Sequence, residues 1–510
     1  MNISNLLTQS GMTFSNEPAV SFGSKNILNY KQLSQLSAII AGNLLIKYQL
    51  SAGDRVAIVS ENCPQYIELF FAIWHAGLVV VPINAKLHKK ELEYILLQSG
   101  ASICFASSKI TNVLLNEVDK IVFSNNVINI DSKEYKLLTH GMEHKINTCE
   151  PNDPAWLFYT SGTTGKPKGA MLSHRNLLAM TQGYFSDIDN ISPGDAIFHA
   201  APLSHGSGFY ILPHVAHGGV NVIPKSGGFN EKELLDLLKD YNNVSLFAAP
   251  TMVKRWLEYY QKNGFGSDVF DSLKTIIYGG GPMYQRDLLN AQGILGNKLV
   301  QMYGQGESPM TICALSKEQH MNIKHPNYKS NLGSVGTPML GISLKITDEN
   351  GTEVIDGLSG EIMVKGDSVM LGYYNDKKAT DSTIIDGWLK TGDIGFKSID
   401  GMITLVDRTK DVIISGGSNI YPREVEEVLL QYPSVIETSV FGKNDDTWGE
   451  IVIAAVVIKK HSKLDDIALD EHCLENLTRF KRPKKYIFLE YLPKNNTGKI
   501  LKTTLRDLYG

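Results

Sequence analysis

A chain of 510 residues exceeds the roughly 250 to 300 residues at which a single core stops growing, so at least two domains are expected. Its 43% hydrophobic and 20% charged residues are those of an ordinary globular protein, and a formal net charge of −4 gives no reason to expect a nucleic-acid partner or an anionic membrane surface. The five cysteines, Cys63, Cys104, Cys149, Cys313 and Cys473, are odd in number and widely spaced with no C-x-x-C pair, which argues against a disulfide framework or a zinc site and for a reducing, cytoplasmic setting.

Met1 to Val20 lacks the basic start and apolar run of a signal peptide. Ala19 to Phe22 reads as a strand, Tyr30 to Lys47 as a helix and Arg55 to Val59 as a strand. The most apolar window, Tyr66 to Ile83, is interrupted by Glu68, His75, Gly77 and Pro82. It reads as a buried helix, Cys63 to Trp74, leading into a buried strand, Leu78 to Pro82, and not as an integral membrane segment. Ser102 to Ala106 and Lys120 to Phe123 continue the strands. Strands alternating with helices predict an α/β fold with a mostly parallel sheet covered on both faces.

After strand Ala155 to Tyr159 comes Thr160-Ser161-Gly162-Thr163-Thr164-Gly165-Lys166-Pro167-Lys168-Gly169. Glycines that let backbone N–H groups turn inward, four hydroxyls and two ammonium groups, with no carboxylate, suit a loop that wraps polyphosphate. It is not a Walker loop, because Thr160 stands where the first glycine belongs and Pro167 where Ser or Thr belongs. Ser173 to Met180 reads as a helix, so the loop is expected between a strand and a helix start, where anions are favoured.

His199, His205, His214 and His217 lack i, i+4 spacing and interleaved acids, which argues against a metal cluster. Strand Thr275 to Tyr278 ends in Gly279-Gly280-Gly281, where a flat ring could approach the backbone closely. Strand Leu299 to Tyr303 ends in Gly304-Gln305-Gly306-Glu307, and a carboxylate there is well placed for Mg²⁺, which takes one or two protein oxygens and keeps most of its waters. Short strands and turns beyond Leu332, including Leu344 to Thr347 and Gly360 to Lys365, predict a β-rich subdomain. Asp407 to Asp411 reads as a charged linker and hinge before a helix starting near Pro422, strands Val435 to Phe441 and Ile451 to Ile458, and a helix Asp470 to Phe480. His205, Phe209, Tyr210, Gly281 and Gly306 are candidates for a ligand pocket, the two glycines leaving space and the aromatic rings suiting an apolar body.

The segment Tyr159 to Gly169 resembles the signature loop of the adenylate-forming superfamily of acyl-CoA synthetases, firefly-type luciferases and adenylation domains, and four motifs in order extend the likeness from about Ile27 to Lys502. The resemblance implies an ATP-dependent ligase that couples a small-molecule carboxylic acid to coenzyme A through acyl-AMP, with ATP, Mg²⁺ and coenzyme A as cofactors and a homodimer left open. The acid expected is a medium- or long-chain fatty or aryl acid. A carrier-protein thiol as acceptor, or a silent nucleotide sensor, are the alternatives. By the same resemblance Thr160 to Gly165 and Lys168 take the phosphates, and Gly279, Gly280, Gly281, Tyr303 and Gly304 lie against the nucleotide. Asp393 of Thr391-Gly392-Asp393 holds the ribose, with Arg408 near the ribose and α-phosphate. Glu307, Thr163 and Lys499 of Pro493 to Lys499 are the catalytic group, and the pocket of His205, Phe209, Tyr210, Gly281 and Gly306 takes the acyl group, with His205 at its border. Asp407 is the hinge, and Gly416, Gly417 and Trp448 belong to the coenzyme A side. Gly306 departs from the family's Tyr-Gly-x-Thr-Glu, whose threonine bonds the α-phosphate. The implied division is an N-terminal domain, residues 1–406, with the β-rich part at about 332–406, and a mobile α+β C-terminal lid, residues 407–510.

Overall fold

The computed structural model describes residues 1–117, 126–160, 166–416, 418–460, 462, 464–494 and 500–510. Among these, a six-stranded sheet runs in the order Val127–Asn129, Ile103–Ala106, Arg55–Ser60, Val79–Asn84, Pro154–Thr160, Lys168–Ser173, parallel except for the last pair. A nine-stranded sheet runs in the order Thr337–Pro338, Ser308–Leu315, Leu299–Gln305, Leu273–Gly279, Val244–Ala248, Ala196–Phe198, Val220–Ile223, Pro18–Phe22, Lys25–Asn29, parallel through its middle. Every residue of Val79–Asn84 and of Val244–Ala248 is buried, as strands covered on both faces require. The expected strand Lys120 to Phe123 lies outside the described residues.

The helix Pro64–His75 joins the two sheets. Pro64 sits at its first turn, where no amide donor is missed, and Tyr66 to His75 are all buried. Phe70 and Trp74 meet Trp156 of the six-stranded sheet with ring centroids 4.9 and 6.1 Å apart, and the Trp74 indole donates to the Ala155 carbonyl at 2.8 Å. Val20, Ile223 and Ile277 of the nine-stranded sheet belong to the same core. An all-round apolar helix is thus an interior element, and no described helix is long and apolar enough to cross a membrane.

An antiparallel sheet of Ile342–Thr347, Gly360–Gly366, Ile384–Ile385, Trp388–Lys397 and Ile403–Arg408 completes the large domain. The small C-terminal domain has its own sheet, Ser418–Ile420, Ile413–Ser415, Gly449–Ile458, Val435–Asp445 and Lys485–Phe488, and its own cores. Its first helix, Pro422–Gln431, starts as expected. The second spans Asp466–Asn476, four residues earlier than predicted, because the Asp465 carboxylate caps it by accepting the Ala468 N–H at 3.0 Å.

One expectation about the phosphate loop is corrected. Lys168–Ser173 returns antiparallel to Pro154–Thr160, so the loop joins two strands, and the helix His174–Gly183 begins only after that hairpin. Its N-terminus is closed by a capping box in which Ser173 accepts the Asn176 N–H and Asn176 accepts the Ser173 N–H.

The junction between the domains is ionic and buried. Asp407 ends strand Ile403–Arg408 with its side chain 9% exposed. Lys502 Nζ lies 3.7 Å from its carboxylate and 3.1 Å from that of Glu426. Glu426 also accepts the Val440 N–H at 2.8 Å and the hydroxyl of Tyr284, from the large domain, at 3.0 Å. Arg286 donates across the same seam to the Leu430 and Val435 carbonyls, both at 2.9 Å. Burial pushes the Asp407 carboxyl above its ordinary value against the pull of Lys502. For Lys502 burial acts to lower, but Glu426 and Asp407 outweigh it and hold the ammonium above its usual value. Lys502→Met is expected to leave two carboxylates buried without a counter-charge and to cost about 3 kcal/mol in thermal unfolding of the C-terminal domain, with partial recovery in Lys502→Arg.

Glu68, on the central helix, accepts the Tyr135 hydroxyl at 2.7 Å, and burial raises its carboxyl above the ordinary value of 4.5. The native state therefore holds this proton to higher pH than the unfolded chain, so stability falls as pH rises beyond that ordinary value. Glu68→Gln is expected to raise stability by on the order of 1 kcal/mol at pH 8, the gain shrinking toward pH 4.5, in urea unfolding; a gain independent of pH would contradict this origin.

Candidate functional site

The segment Tyr303 to Glu307, at the end of strand Leu299–Gln305, faces both the phosphate-loop hairpin and the antiparallel sheet. At one end the Tyr303 hydroxyl and the Gln305 amide donate to Oδ2 of Asp393 at 2.6 and 2.7 Å, and Gln305 also donates to the Thr391 carbonyl at 2.8 Å. Arg408, opposite Asp393 across the strand pair, brings Nε to 3.3 Å from Oδ1. Burial first, and the Asp393 charge second, push the Tyr303 phenol up, so it remains a donor. Asp393 is 7% exposed and fixed in orientation, with Oδ1 carrying a single protein contact among the described residues.

At the other end Oε1 of Glu307 accepts the Thr160 hydroxyl at 3.1 Å and the Tyr373 hydroxyl at 2.7 Å, and the Glu307 carbonyl accepts the Met370 N–H at 2.8 Å. Burial, then the Glu307 charge, raise the Tyr373 phenol. Both donors sit on one oxygen, so among the described residues Oε2 has no donor. A carboxylate oxygen beside hydroxyls fits a hard cation such as Mg²⁺. Lys168 Nζ stands 5.2 Å above the Tyr373 ring, and the Tyr374 N–H donates to the Gly169 carbonyl at 2.8 Å, which ties the end of the phosphate loop to the Glu307 side. Ser161, Gly162, Thr163, Thr164 and Gly165 lie outside the described residues, as do Gly417 and Lys499.

The glycines at the strand ends have separate reasons. A side chain on Gly279 would overlap the Met302 carbonyl of the neighbouring strand, and one on Gly304 would lie 2.7 Å from the Met310 amide nitrogen. Gly280 has φ +77°, and Gly281 has only Pro250 near it, at 3.9 Å, so that face is open.

Gly306 corrects an expectation. It was read as leaving room for an acid, but a side chain there would overlap the ring of Phe158 and lie 2.5 Å from Cγ2 of Thr160. The glycine accommodates Phe158. That ring lies against Phe209, centroids 5.4 Å apart and 29° between planes, and edge-on to His205 at 5.6 Å; Phe209 stacks in turn on Trp156 at 4.4 Å. His205 pairs with the Ser204 hydroxyl at 2.9 Å, and burial lowers it to about 4, so it is a neutral wall at neutral pH. Tyr210 is buried between Tyr184 and Phe247. The neighbouring histidines are engaged separately: His199 with Ser207 and Asn221, His214 with the Tyr210 carbonyl.

On the small domain, Gly416 has φ +56° and donates its N–H to the Trp448 carbonyl at 2.8 Å, and a side chain on it would meet the Trp448 ring at 2.9 Å. The indole is 51% exposed. The structure thus brings Gly416 and Trp448 together, with Glu450 accepting the Ile414 N–H beside them at 2.8 Å.

Sequence reasoning missed Gln305, Tyr373, Phe158 and Met310. The first lies inside a glycine motif and the second in an unremarkable Tyr-Tyr pair, while Phe158 reads as a strand residue. Met310 holds φ +59° within a strand, and its side chain lies below Gly206 next to Phe247. Each acts through a contact distant in sequence that no local pattern announces.

Residues 7–374 match the family model of the AMP-binding enzyme, and residues 424–499 that of the AMP-binding enzyme C-terminal domain. The chain is 33% identical to the feruloyl-CoA synthase of an Amycolatopsis species, over 95% of this chain and 94% of that one. It is 31% identical to the fatty acid–[acyl-carrier-protein] ligase ScoC of Streptomyces coeruleorubidus, over 94% and 92%. Among solved structures, ATP-bound MatB from Rhodopseudomonas palustris superposes with a TM-score of 0.89 at 28% identity, covering 100% of this chain and 99% of that one. The chain belongs to the AMP-binding enzyme family, as an AMP-forming acid–thiol ligase.

Proposed function

We propose that this chain activates a carboxylic acid with MgATP and passes the acyl group to coenzyme A, and that the acid is a medium- or long-chain fatty or aryl acid. The observation that carries the reading is the pair of oriented carboxylates at the two ends of Tyr303 to Glu307: Asp393, braced by Tyr303, Gln305 and Arg408, suits a ribose, and Glu307, with one oxygen that has no donor among the described residues, suits the cation on the phosphates. On this reading a nucleotide lies along the strand end, with the α-phosphate between the two carboxylates.

An oxygen of the acid attacks the α-phosphorus, a P–O bond forms to it, and the bond to the β-phosphate oxygen breaks with release of pyrophosphate. Both reactants are anionic, so the protein's work is to place them in line and neutralise charge. Glu307 is the residue that would hold Mg²⁺, which when bound supplies positive charge to the phosphates. The Thr160 to Lys168 loop closes on the β- and γ-phosphates, Arg408 faces the ribose and α-phosphate, and Lys499 neutralises the oxygens between acid and phosphate. In the second half-reaction the thiol sulfur attacks the acyl carbon, its proton passes to solvent, and AMP leaves with the electron pair of the acyl–oxygen bond.

We assign the hinge to Asp407 and the boundary of the two domains to that residue, since its side chain, only 9% exposed, lies at the end of the antiparallel sheet and faces Lys502 of the small domain. Turning about it would withdraw Lys499 and present Gly416 and Trp448 to the site. A carrier-protein thiol is the second reading, favoured by the likeness to ScoC. We place the protein in the cytoplasm, where its five free cysteines stay reduced.

Pyrophosphate release from MgATP over a panel of acids, with and without coenzyme A, tests the reading. Release dependent on one acid with coenzyme A converted to thioester is expected, whereas release with coenzyme A untouched would move the acceptor to a carrier protein. Lys499→Ala is expected to slow adenylation about 10²- to 10³-fold while sparing transfer from supplied acyl-AMP to coenzyme A; equal loss in both steps would reject its role. Asp407→Pro should show the reverse, because the fixed φ of proline restricts rotation, and unimpaired thioester formation would count against the hinge.

A further inference from the structure

The ring of Phe158 fills the place that a residue-306 side chain would take. Trp156, Phe158 and Thr160 alternate along strand Pro154–Thr160 and so project from one face, forming a ladder from the core to the phosphate loop. Thr160 is bonded to Glu307, and Gly306 lies between Glu307 and Gln305, which is bonded to Asp393. On the adenylation reading, on which this inference rests, the carboxylate meets the α-phosphate between these two anchors. The carbon next to the carboxylate then passes the Phe158 ring.

That ring has little room to retreat. Phe209 covers it at 5.4 Å, Trp156 stands 6.5 Å away, His205 meets it edge-on, and Gly306 closes the side toward the strand. Phe209 is itself stacked on the fully buried Trp156, so a shift would move the core joining the two sheets. Even a Cβ at 306 and the ring of Phe158 as placed here exclude one another. This chain has the ring, an aromatic face where the family pattern has a hydroxyl.

The geometry points to Phe158 as a specificity-determining residue that restricts the enzyme to acids unbranched at the carbon next to the carboxylate, whether alkyl or aryl beyond it. The discriminating surface is a rigid wall close to the reacting atoms, so the effect depends on branching at that carbon and not on chain length. An added methyl group in a packed apolar site costs roughly 10- to 200-fold in kcat/KM.

The test compares matched acids, octanoate with 2-methyloctanoate and cinnamate with α-methylcinnamate, by acid-dependent pyrophosphate release. The wild type should favour the unbranched acid of whichever pair it uses by at least about 10-fold. Phe158→Ala should bring that ratio to within about threefold, with Phe158→Leu intermediate and serving as the second variant should the alanine form not fold. Gly306→Ala, which crowds both the ring and Cγ2 of Thr160, should lose at least about tenfold with unbranched acids, and the double variant Phe158→Ala/Gly306→Ala should recover the part of that loss owed to the ring, a coupling expected only of groups in contact. An unchanged branched-to-unbranched ratio in the folded Phe158 variants, or a wild type indifferent to branching, would overturn the inference while leaving adenylation intact. No pyrophosphate with any acid would overturn the adenylation reading and this inference with it.

Discussion

Five consecutive residues, Tyr303 to Glu307, fix the relative positions of two carboxylates that come from different parts of the molecule. Tyr303 and Gln305 hold Asp393 on the antiparallel sheet, and Glu307 is held by Thr160 from the six-stranded sheet and Tyr373 from the segment leading to Asp393. Three sheets therefore meet on one strand end. Buried phenols donate to these carboxylates, and burial keeps both phenols protonated, so each phenol orients its carboxylate as a hydrogen-bond donor. In such a partly dry site an oriented charge interacts more strongly than it would in water. The aromatic ladder and the glycines at the strand ends exist around that arrangement: they bring backbones close enough for the bonds to form.

The same economy of charge appears at the domain junction. Lys502 lies between Asp407 and Glu426, and Tyr284 reaches Glu426 from the large domain. Buried ion pairs contribute little net stability because desolvation offsets their attraction, but breaking one side is costly. Such a contact suits a joint with few preferred positions. On the proposed hinge, rotation about Asp407 would exchange these partners together, which would favour discrete arrangements of the C-terminal domain over a continuum.

Much of the frame was legible because its signals are local. Alternating apolar runs and helical spacing located strand Arg55–Ser60, helix Pro64–His75 and the glycine-ended strands at Gly279 and Gly304, and their burial follows from the same pattern. Motif order singled out Tyr303, Glu307 and Asp393, whose side chains the structure gathers around one strand end. What was not legible is pairing across long separations. Gly306 looked like empty space because its neighbour in space, Phe158, is 148 residues away, and the phosphate loop looked like a strand-to-helix turn because nothing in Lys168–Ser173 announces its return as a strand. Asp407 reads as part of a charged linker and hinge, and its low exposure is not announced in the sequence because its partner Lys502 lies near the other end of the small domain.

The central claim is that an oxygen of the acid attacks the α-phosphorus. A single-turnover reaction of the wild-type protein with a carboxylic acid labelled with ¹⁸O in its carboxyl group, followed by acyl transfer to a thiol and mass analysis of the released AMP, tests it most directly. One ¹⁸O atom transferred into AMP is the result the account predicts. Unlabelled AMP, with the oxygen lost from the acid appearing in pyrophosphate or water, would contradict it.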